Sequence, residues 1–521
     1  MGTLLSALRI ADEKLTGGFD HAFRPVNNPW RHLGALAFLC LVISVASGIV
    51  AYTLYDTSVR GAYDSGLRLQ NEPLLLGRLL RGLHRYAADA FMLLTVLHLV
   101  REAMRGHFRG VRWFSWLTGI PLLWMLWIAG LTGLWLLWDE RALFSVTATA
   151  EWLQTLPLFT DVLARNFLTT DALNDRFFSL IMFIHIGVPL LLLAAVWVHV
   201  QRVSLPRMWP PHALTAGSLV MLSALALSFP AESLGPANTG QVSASISLDW
   251  FYLFPHPLVD ALSAQSVWLL AAGLTAMLAM LPWLGPRKFS LAPPQVARVD
   301  LANCNGCARC AADCPFGAVV MIARTDHRHH SQQASVINDL CAACGICVGA
   351  CPSSTPFRRL EEIVSGIEMP DTPIAGLRQT LQRKLANLRG DEKTVVFACR
   401  QAANFESLAD HSTAVIALEC AAMLPPSFID YATRMGATST VIAGCREADC
   451  EFRLGDQWLQ QRLGGTRAPR LRAAAQRDRI AVVWSGRAVD RVRDAIDTLR
   501  NNSLLKPTQP AAITPNEAHH D

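Results

Sequence analysis

Six long apolar runs, all before residue 285, constrain this chain more than any other feature. They lie at about 33–54, 79–100, 114–137, 177–200, 214–229 and 267–284, the fifth being the shortest. Runs near twenty residues match the hydrocarbon thickness of a bilayer. In lipid the backbone must satisfy its own polar groups, so such runs fold as helices. Composition agrees: 52% of the 521 residues are hydrophobic and 17% charged, with a mean hydropathy of +0.28. Beyond residue 285 the polarity is that of a soluble protein. The expected architecture is multi-domain: an all-α transmembrane bundle of about six spans (residues 1–285), then a soluble half.

Loop charge orients the spans. Arg9, Lys14, Arg24 and Arg31 precede the first run, and Arg101, Arg105, Arg109 and Arg112 follow the second. Arg202 and Arg207 follow the fourth, and Arg287 and Lys288 the sixth, whereas residues 231–263 contain no Lys or Arg. Both termini and the soluble half are therefore expected in the cytoplasm, on an inner (plasma) membrane crossed several times. The net charge of +5 is accounted for by these loops and calls for no nucleic-acid partner. The first 30 residues lack the apolar core and small-residue cleavage site of a signal peptide.

Two of the runs carry histidine pairs, His84 with His98 and His185 with His199, each fourteen residues apart. Fourteen residues are just under four helical turns, about 21 Å. Both members of a pair thus share a helix face, one towards each side of the membrane. A lone intramembrane His is often a packing residue, but two identically spaced pairs point to ligation. Facing helices would hold two b-type haems, His84 with His185 and His98 with His199. Gly34 and Gly48, and Gly119 and Gly133, repeat the same spacing on the neighbouring runs, where the lack of a side chain lets a bulky macrocycle approach the backbone.

With Trp30, Arg81-Gly-Leu-His84, His98-Leu-Val-Arg101, Ser115-Trp-Leu-Thr-Gly119, Leu131-Thr-Gly133 and Trp138-Asp139, residues 25–284 resemble the cytochrome b family of quinol-oxidising bc-type complexes. The resemblance implies that Arg81 and Arg101 pair with haem propionates; ordinary loop-edge charge is the alternative. It also implies a dimer. Leu248-Asp249-Trp250-Phe251-Tyr252 resembles the family's Pro-Glu-Trp-Tyr motif at the outer quinol pocket, with Leu for Pro and Asp for Glu. Asp249 is then either the catalytic acceptor of a quinol proton or a structural remnant.

Twelve of the 13 cysteines fall between Cys304 and Cys450, and Cys40 stands alone in the first run. Clustered thiols in a soluble segment read as metal ligands in a reducing compartment. After a linker (286–300) with Pro293-Pro294 comes Cys304-x2-Cys307-x2-Cys310-x3-Cys314-Pro315. It is repeated as Cys341-x2-Cys344-x2-Cys347-x3-Cys351-Pro352. This is the pattern of bacterial two-[4Fe–4S] ferredoxins, in which the fourth Cys of each run serves the other cluster. Cys304, Cys307, Cys310 and Cys351 would hold one cluster, and Cys341, Cys344, Cys347 and Cys314 the other, in an α+β domain at 301–357.

Residues 358–392 read as a helical linker. Its basic amphipathic stretch, 377–389, can lie on the membrane, brace the soluble domains or be solvated. From 393 to 501 short β-rich runs at 395–398, 415–418, 440–443 and 480–484 alternate with helical patterns, which predicts a small parallel α/β domain. Cys399, Cys420, Cys445 and Cys450 fall at or just after strand ends, where open α/β sheets bind ligands. They would hold one [2Fe–2S] cluster, or the domain docks a partner without one. Gly444-Cys445-Arg446-Glu447-Ala448-Asp449-Cys450, with Gly455, resembles the iron–sulfur (delta) subunit of methyl-viologen-reducing hydrogenases. Ala402 stands where that family has a further Cys after Cys399. The resemblance implies a heterodisulfide-reductase-like flavoprotein partner. The tail, 502–521, has the composition of a disordered segment.

Together these readings describe a quinone-linked oxidoreductase subunit. It would join a cytoplasmic dehydrogenase, through iron–sulfur clusters and two haems, to the quinone pool in membrane lipid. The alternatives are a bc-type quinol-oxidising component with a separate Rieske partner, and a non-enzymatic membrane redox sensor or anchor.

Overall fold

The computed structural model describes residues 2–71, 75–156, 174–240, 246–247, 249, 251–284, 295–326, 328–358 and 363–504. The chain divides into two compact units, Met1–Phe289 and Ser290–Asp521.

The first unit is helical. An amphipathic α1 (Gly2–Phe23) leads into α2 (Leu33–Tyr52), α3 (Gly61–Asn71), α4 (Leu76–Arg105), α5 (Trp113–Trp135) and α6 (Glu140–Gln154). Then come α7 (Asp175–Val200), α8 (His212–Ser228), α9 (Pro255–Leu262) and α10 (Ala264–Met280). Among the described residues, three helices are long and apolar enough to cross a membrane: Leu33–Tyr52, Gly110–Trp135 and Asp175–Val200. The second expected span lies within α4, which is long enough but carries Arg78, Arg81, Arg85 and Asp89. The fifth and sixth correspond to the 17-residue α8 and α10. Large apolar side chains face outward, Phe183 at 75% and Leu269 at 74% exposure, the surface expected of helices that contact lipid rather than water.

Packing in this unit is pairwise, with α2 against α4 and α5 against α7. The α4–α8 crossing is close because Gly82 has no Cβ; one would meet the Ala226 Cβ at 2.5 Å. Asp139 caps α6 by accepting from Ala142 N at 2.8 Å, and it also accepts from Leu234 N at 3.1 Å. Helix α1 is tied down by Asp12, whose Oδ1 accepts from Trp30 Nε1 at 2.8 Å.

The second unit holds both soluble modules on one apolar core. In the first module β2 (Val319–Ala323) pairs antiparallel with β3 (Gln332–Val336), and β1 (Arg298–Val299) pairs with β4 (Ile367–Glu368). Short helices α11 (Arg309–Asp313) and α12 (Ile346–Ala350) lie within the cysteine runs and carry Cys310 and Cys347. The β1–β4 ladder draws the flanking linkers into this module; two-residue strands give no periodic signal in sequence.

The second module has the parallel order β6 (Thr413–Leu418), β5 (Thr394–Cys399), β7 (Ser439–Gly444) and β8 (Ile480–Trp484). It also contains α14 (Ser427–Arg434), α15 (Gly455–Gly464) and α16 (Val489–Leu504). β5 and β7 are buried throughout. The basic amphipathic stretch forms α13 (Ile374–Ala386), and its apolar face of Ile374, Leu377, Leu381 and Leu385 is buried in the soluble core. It braces the soluble unit and offers no apolar face to a membrane. The expected disordered tail lies almost wholly outside the described residues.

Replacing Leu381 by Ala should cost about 2–5 kcal/mol, as large-to-small core changes do. Hydrogen exchange on the full chain should then quicken in α13 and β6. Arg383→Ala, on the exposed face, should stay within about 0.5 kcal/mol and leave exchange unchanged.

Candidate redox centres

The membrane unit places its four histidines in two tiers. His84 on α4 faces His185 on α7, with ring centroids 6.1 Å apart and planes at 72°. An atom ligated by both rings at about 2 Å per bond fits between them. Each imidazole is oriented by its Nδ1, which leaves Nε2 for a ligand. His84 Nδ1 donates to the Ser44 carbonyl and His185 Nδ1 to the Ala129 carbonyl, both at 2.9 Å. In the other tier, His199 Nδ1 lies 3.1 Å from Thr118 Oγ1, and His98 Nδ1 lies 4.0 Å from Glu102.

The four glycines match the histidines one for one. A Cβ on Gly48 would lie 2.8 Å from the His84 ring and one on Gly133 2.7 Å from the His185 ring. For Gly119 and His199 the distance is 3.2 Å, and for Gly34 and His98 3.4 Å. The side chain nearest each of these glycines is thus an imidazole. The His84/His185 pair is the tighter one.

The arginines already have protein partners. Arg81 donates to the Gly66 carbonyl (3.1 Å), Gln70 Oε1 (2.9 Å) and Ser233 Oγ (2.7 Å). Arg101 is buried, 3.5 Å from Asp12. Asp249 is held on both oxygens. Its Oδ1 accepts from Phe251 N and Tyr252 N at 3.0 and 2.9 Å, and its Oδ2 pairs with Arg85. Arg85 also reaches Asp89 at 3.1 Å. Leu248 and Trp250 of the same motif lie outside the described residues. Arg85 was missed in the sequence, although a charge directly after His84, at membrane depth, is a signal in itself.

In the soluble unit the thiols of the two cysteine runs are neighbours of one another. Burial pushes the Cys310 thiol up to about 12, and its thiol neighbours Cys351, Cys307 and Cys304 add to the effect. Cys344 is raised by burial, with Cys314, Cys341 and Cys450 beside it; Cys347 is raised by burial, with Cys344, Cys314, Cys341 and Cys310 beside it. Cys351 is thus near Cys310, and Cys314 near Cys344 and Cys347. Thiols buried this way become ligands only when a metal takes the proton's place. Cys344 and Cys347 are buried and Cys307 is exposed.

The last four thiols form a closed ring. Cys399 ends β5 and Cys445 follows β7, with their Sγ atoms 3.9 Å apart. Hydrogen bonds from Cys420 and Cys445 hold Cys399 and Cys450 low, and the same bonds hold Cys420 and Cys445 high. β5 and β7 are where the order 6-5-7-8 reverses direction, the crevice in which open parallel sheets bind their ligands. Gly455 makes the space: a Cβ there would lie 2.7 Å from Cys420 Sγ and 3.0 Å from Cys450 Sγ. Among the described residues no three such side chains already stand at single-metal distances, so the ligand sets rest on neighbour identity and burial. Four buried thiols around a glycine-cleared space suit a thiolate-bound cluster.

Comparison with known proteins places the modules in the same order. Residues 20–204 match the model of cytochrome b/b6/petB, 303–355 that of a 4Fe–4S dicluster domain, and 394–501 that of the delta subunit of methyl-viologen-reducing hydrogenase. A cytochrome b6 of Prochlorothrix hollandica is 30% identical over 156 residues, 29% of this chain and 70% of that one. The cytochrome b subunit of a menaquinol:cytochrome c reductase from Geobacillus thermodenitrificans is 27% identical, over 27% of this chain and 65% of its own length. A cytochrome b of Rhodospirillum rubrum is 24% identical over 51% of this chain and 72% of its own.

The ion pairs around Arg85 predict an asymmetric result. Arg85→Met leaves two buried carboxylates without their cation and should cost about 3–5 kcal/mol. Asp249→Asn keeps the capping oxygen and leaves Arg85 with Asp89, so it should cost about 1 kcal/mol or less. Thermal unfolding in detergent, followed by tryptophan fluorescence, separates the two.

Proposed function

This chain belongs to the cytochrome b/b6 family, and from that membership we propose that it is the electron-transfer subunit of a quinone-linked oxidoreductase. The observation that carries the reading is the His84–His185 pair, 6.1 Å apart, with both Nδ1 atoms bonded to backbone and a glycine behind each ring. Two b haems, held by His84 with His185 and by His98 with His199, would supply one-electron exchange with quinone. The histidines would hold the haems, the Ser44 and Ala129 carbonyls fix the tautomer of His84 and His185, and the glycines leave room for the rings. The family relation supports a membrane location, and the apolar runs and loop arginines support six spans with the soluble unit on the cytoplasmic side.

In the soluble unit, the sets Cys304/Cys307/Cys310/Cys351 and Cys341/Cys344/Cys347/Cys314 would hold two [4Fe–4S] clusters, and the ring Cys399/Cys420/Cys445/Cys450 one [2Fe–2S] cluster. The likeness of residues 394–501 to a hydrogenase delta subunit supports a soluble redox partner, of dehydrogenase or heterodisulfide-reductase-like flavoprotein type. A second reading, quinol oxidation at the outer face, is favoured by the relative that serves a menaquinol:cytochrome c reductase. In that reading Asp249 must release Arg85 before it can take a proton, because both of its oxygens are already bonded.

Protein in vesicles should oxidise a reduced viologen dye only when a quinone analogue is present, and His98→Ala should abolish this turnover. Dye oxidation that ignores quinone would sink the proposal. In potentiometric titration of the haem absorption band, Gly133→Ala should remove the component due to the His84/His185 haem, because its Cβ displaces the His185 ring. Gly34→Ala, with 3.4 Å of room, should keep both components.

A further inference from the structure

The two soluble modules meet at one buried guanidinium. Arg462, on α15, is 0% exposed. It donates to the Asp313 carboxylate at 2.5 Å, the Ala422 carbonyl at 2.7 Å and the Ile346 carbonyl at 3.2 Å. Asp313 directly precedes Cys314, Ile346 lies between Cys344 and Cys347, and Ala422 follows Cys420 by two residues. One side chain thus ties loops that carry ligands of two different thiol sets.

Other contacts land on the same places. Trp458 Nε1 donates to the Asp313 carbonyl at 3.2 Å, and Arg453 to the Pro315 carbonyl at 2.8 Å. Arg467 bonds Asp313 at 2.8 Å while stacking over Trp458 at 3.5 Å. The backbones approach closely: a Cβ on Gly349 would meet the Ala422 carbonyl oxygen at 2.1 Å, and one on Gly345 the Met423 Sδ at 2.7 Å. The cleared space at Gly455 is bounded by Cys420 Sγ, Cys450 Sγ and, at 3.5 Å, Ile346 Cδ1. The Cys304 carbonyl is instead held from within its own module, by Arg324 at 2.7 Å.

We propose that the thiol ring Cys399/Cys420/Cys445/Cys450 and the set Cys314/Cys341/Cys344/Cys347 are direct redox neighbours, positioned by Arg462. The set Cys304/Cys307/Cys310/Cys351, with its exposed Cys307, is the distal site. A buried ion pair removed on one side leaves an uncompensated charge, so Arg462 holds the separation as well as the contact. Arg462 is a positioning residue, since it touches ligand loops and no ligand sulfur is among its bonded partners given above. The assignment rests on the three-cluster reading of the soluble unit, and its test reports on that reading separately.

The test is EPR of the reduced, anaerobic full chain, with iron counted in each sample. Spin–spin interaction should split or broaden the signal of the thiol-ring cluster in the parent protein. Cys304→Ser with Cys307→Ser should leave the splitting, and Cys341→Ser with Cys344→Ser should remove it; the reverse pattern overturns the assignment. Gly349→Ala touches no ligand and pushes the two loops apart, and Arg462→Met cuts their tie. Each should weaken the splitting without loss of iron, and an unchanged splitting in both refutes the positioning role. A parent protein whose non-haem iron accounts for two [4Fe–4S] clusters and no third signal defeats the three-cluster reading itself, and the inference with it.

Discussion

The membrane unit depends on the contact between an imidazole ring and a glycine on the neighbouring helix. His84 lies against Gly48 and His185 against Gly133, closer than any Cβ could allow. Each ring then finds a backbone carbonyl one turn from its glycine, Ser44 for His84 and Ala129 for His185. The carbonyl fixes the tautomer, the glycine fixes the approach, and Nε2 is left for a ligand. The pairing of α2 with α4 and of α5 with α7 follows from this, because the helices can close only where the side chain is missing. Ridge-into-groove packing of ordinary side chains would keep axes at about 8–10 Å or more.

Much of this was legible in the sequence because it is periodic. A fourteen-residue repeat of His on two runs and of Gly on two others fixes helix faces without any tertiary information. The strands at 395–398, 415–418, 440–443 and 480–484 were equally readable, since buried parallel strands are short apolar runs, and each was found within a residue or two. What the sequence hid is pairwise and distant. Arg85 and Asp249 are 164 positions apart, Arg462 and Asp313 149 apart. A buried arginine on α15 looks in sequence like any other arginine on a surface helix. The fate of the 377–389 stretch was open for a related reason: an amphipathic face states that it will be buried, and leaves unstated against what.

The soluble unit shows a different use of charge. Asp313 receives two guanidiniums, Arg462 and Arg467, and a pairing so deeply buried adds little net stability compared with apolar packing. Its contribution is specificity of position: it fixes which thiol set faces the sheet's crevice. In both units, then, polar groups in apolar surroundings mark the places where a redox site is held. The apolar core supplies the stability, through helices that bury Leu377, Leu381 and Leu385 on one side and strands such as Val395–Phe397 on the other.

The central claim is that one polypeptide carries a connected set of redox sites from the thiol ring to quinone. Its most direct test is rapid-freeze spectroscopy of the fully reduced, anaerobic chain mixed with a soluble quinone analogue, reading haem bands and cluster EPR in the same samples. The account predicts that the haems are oxidised first and that the clusters follow until all are oxidised. Haems that are oxidised while the clusters stay reduced would contradict it.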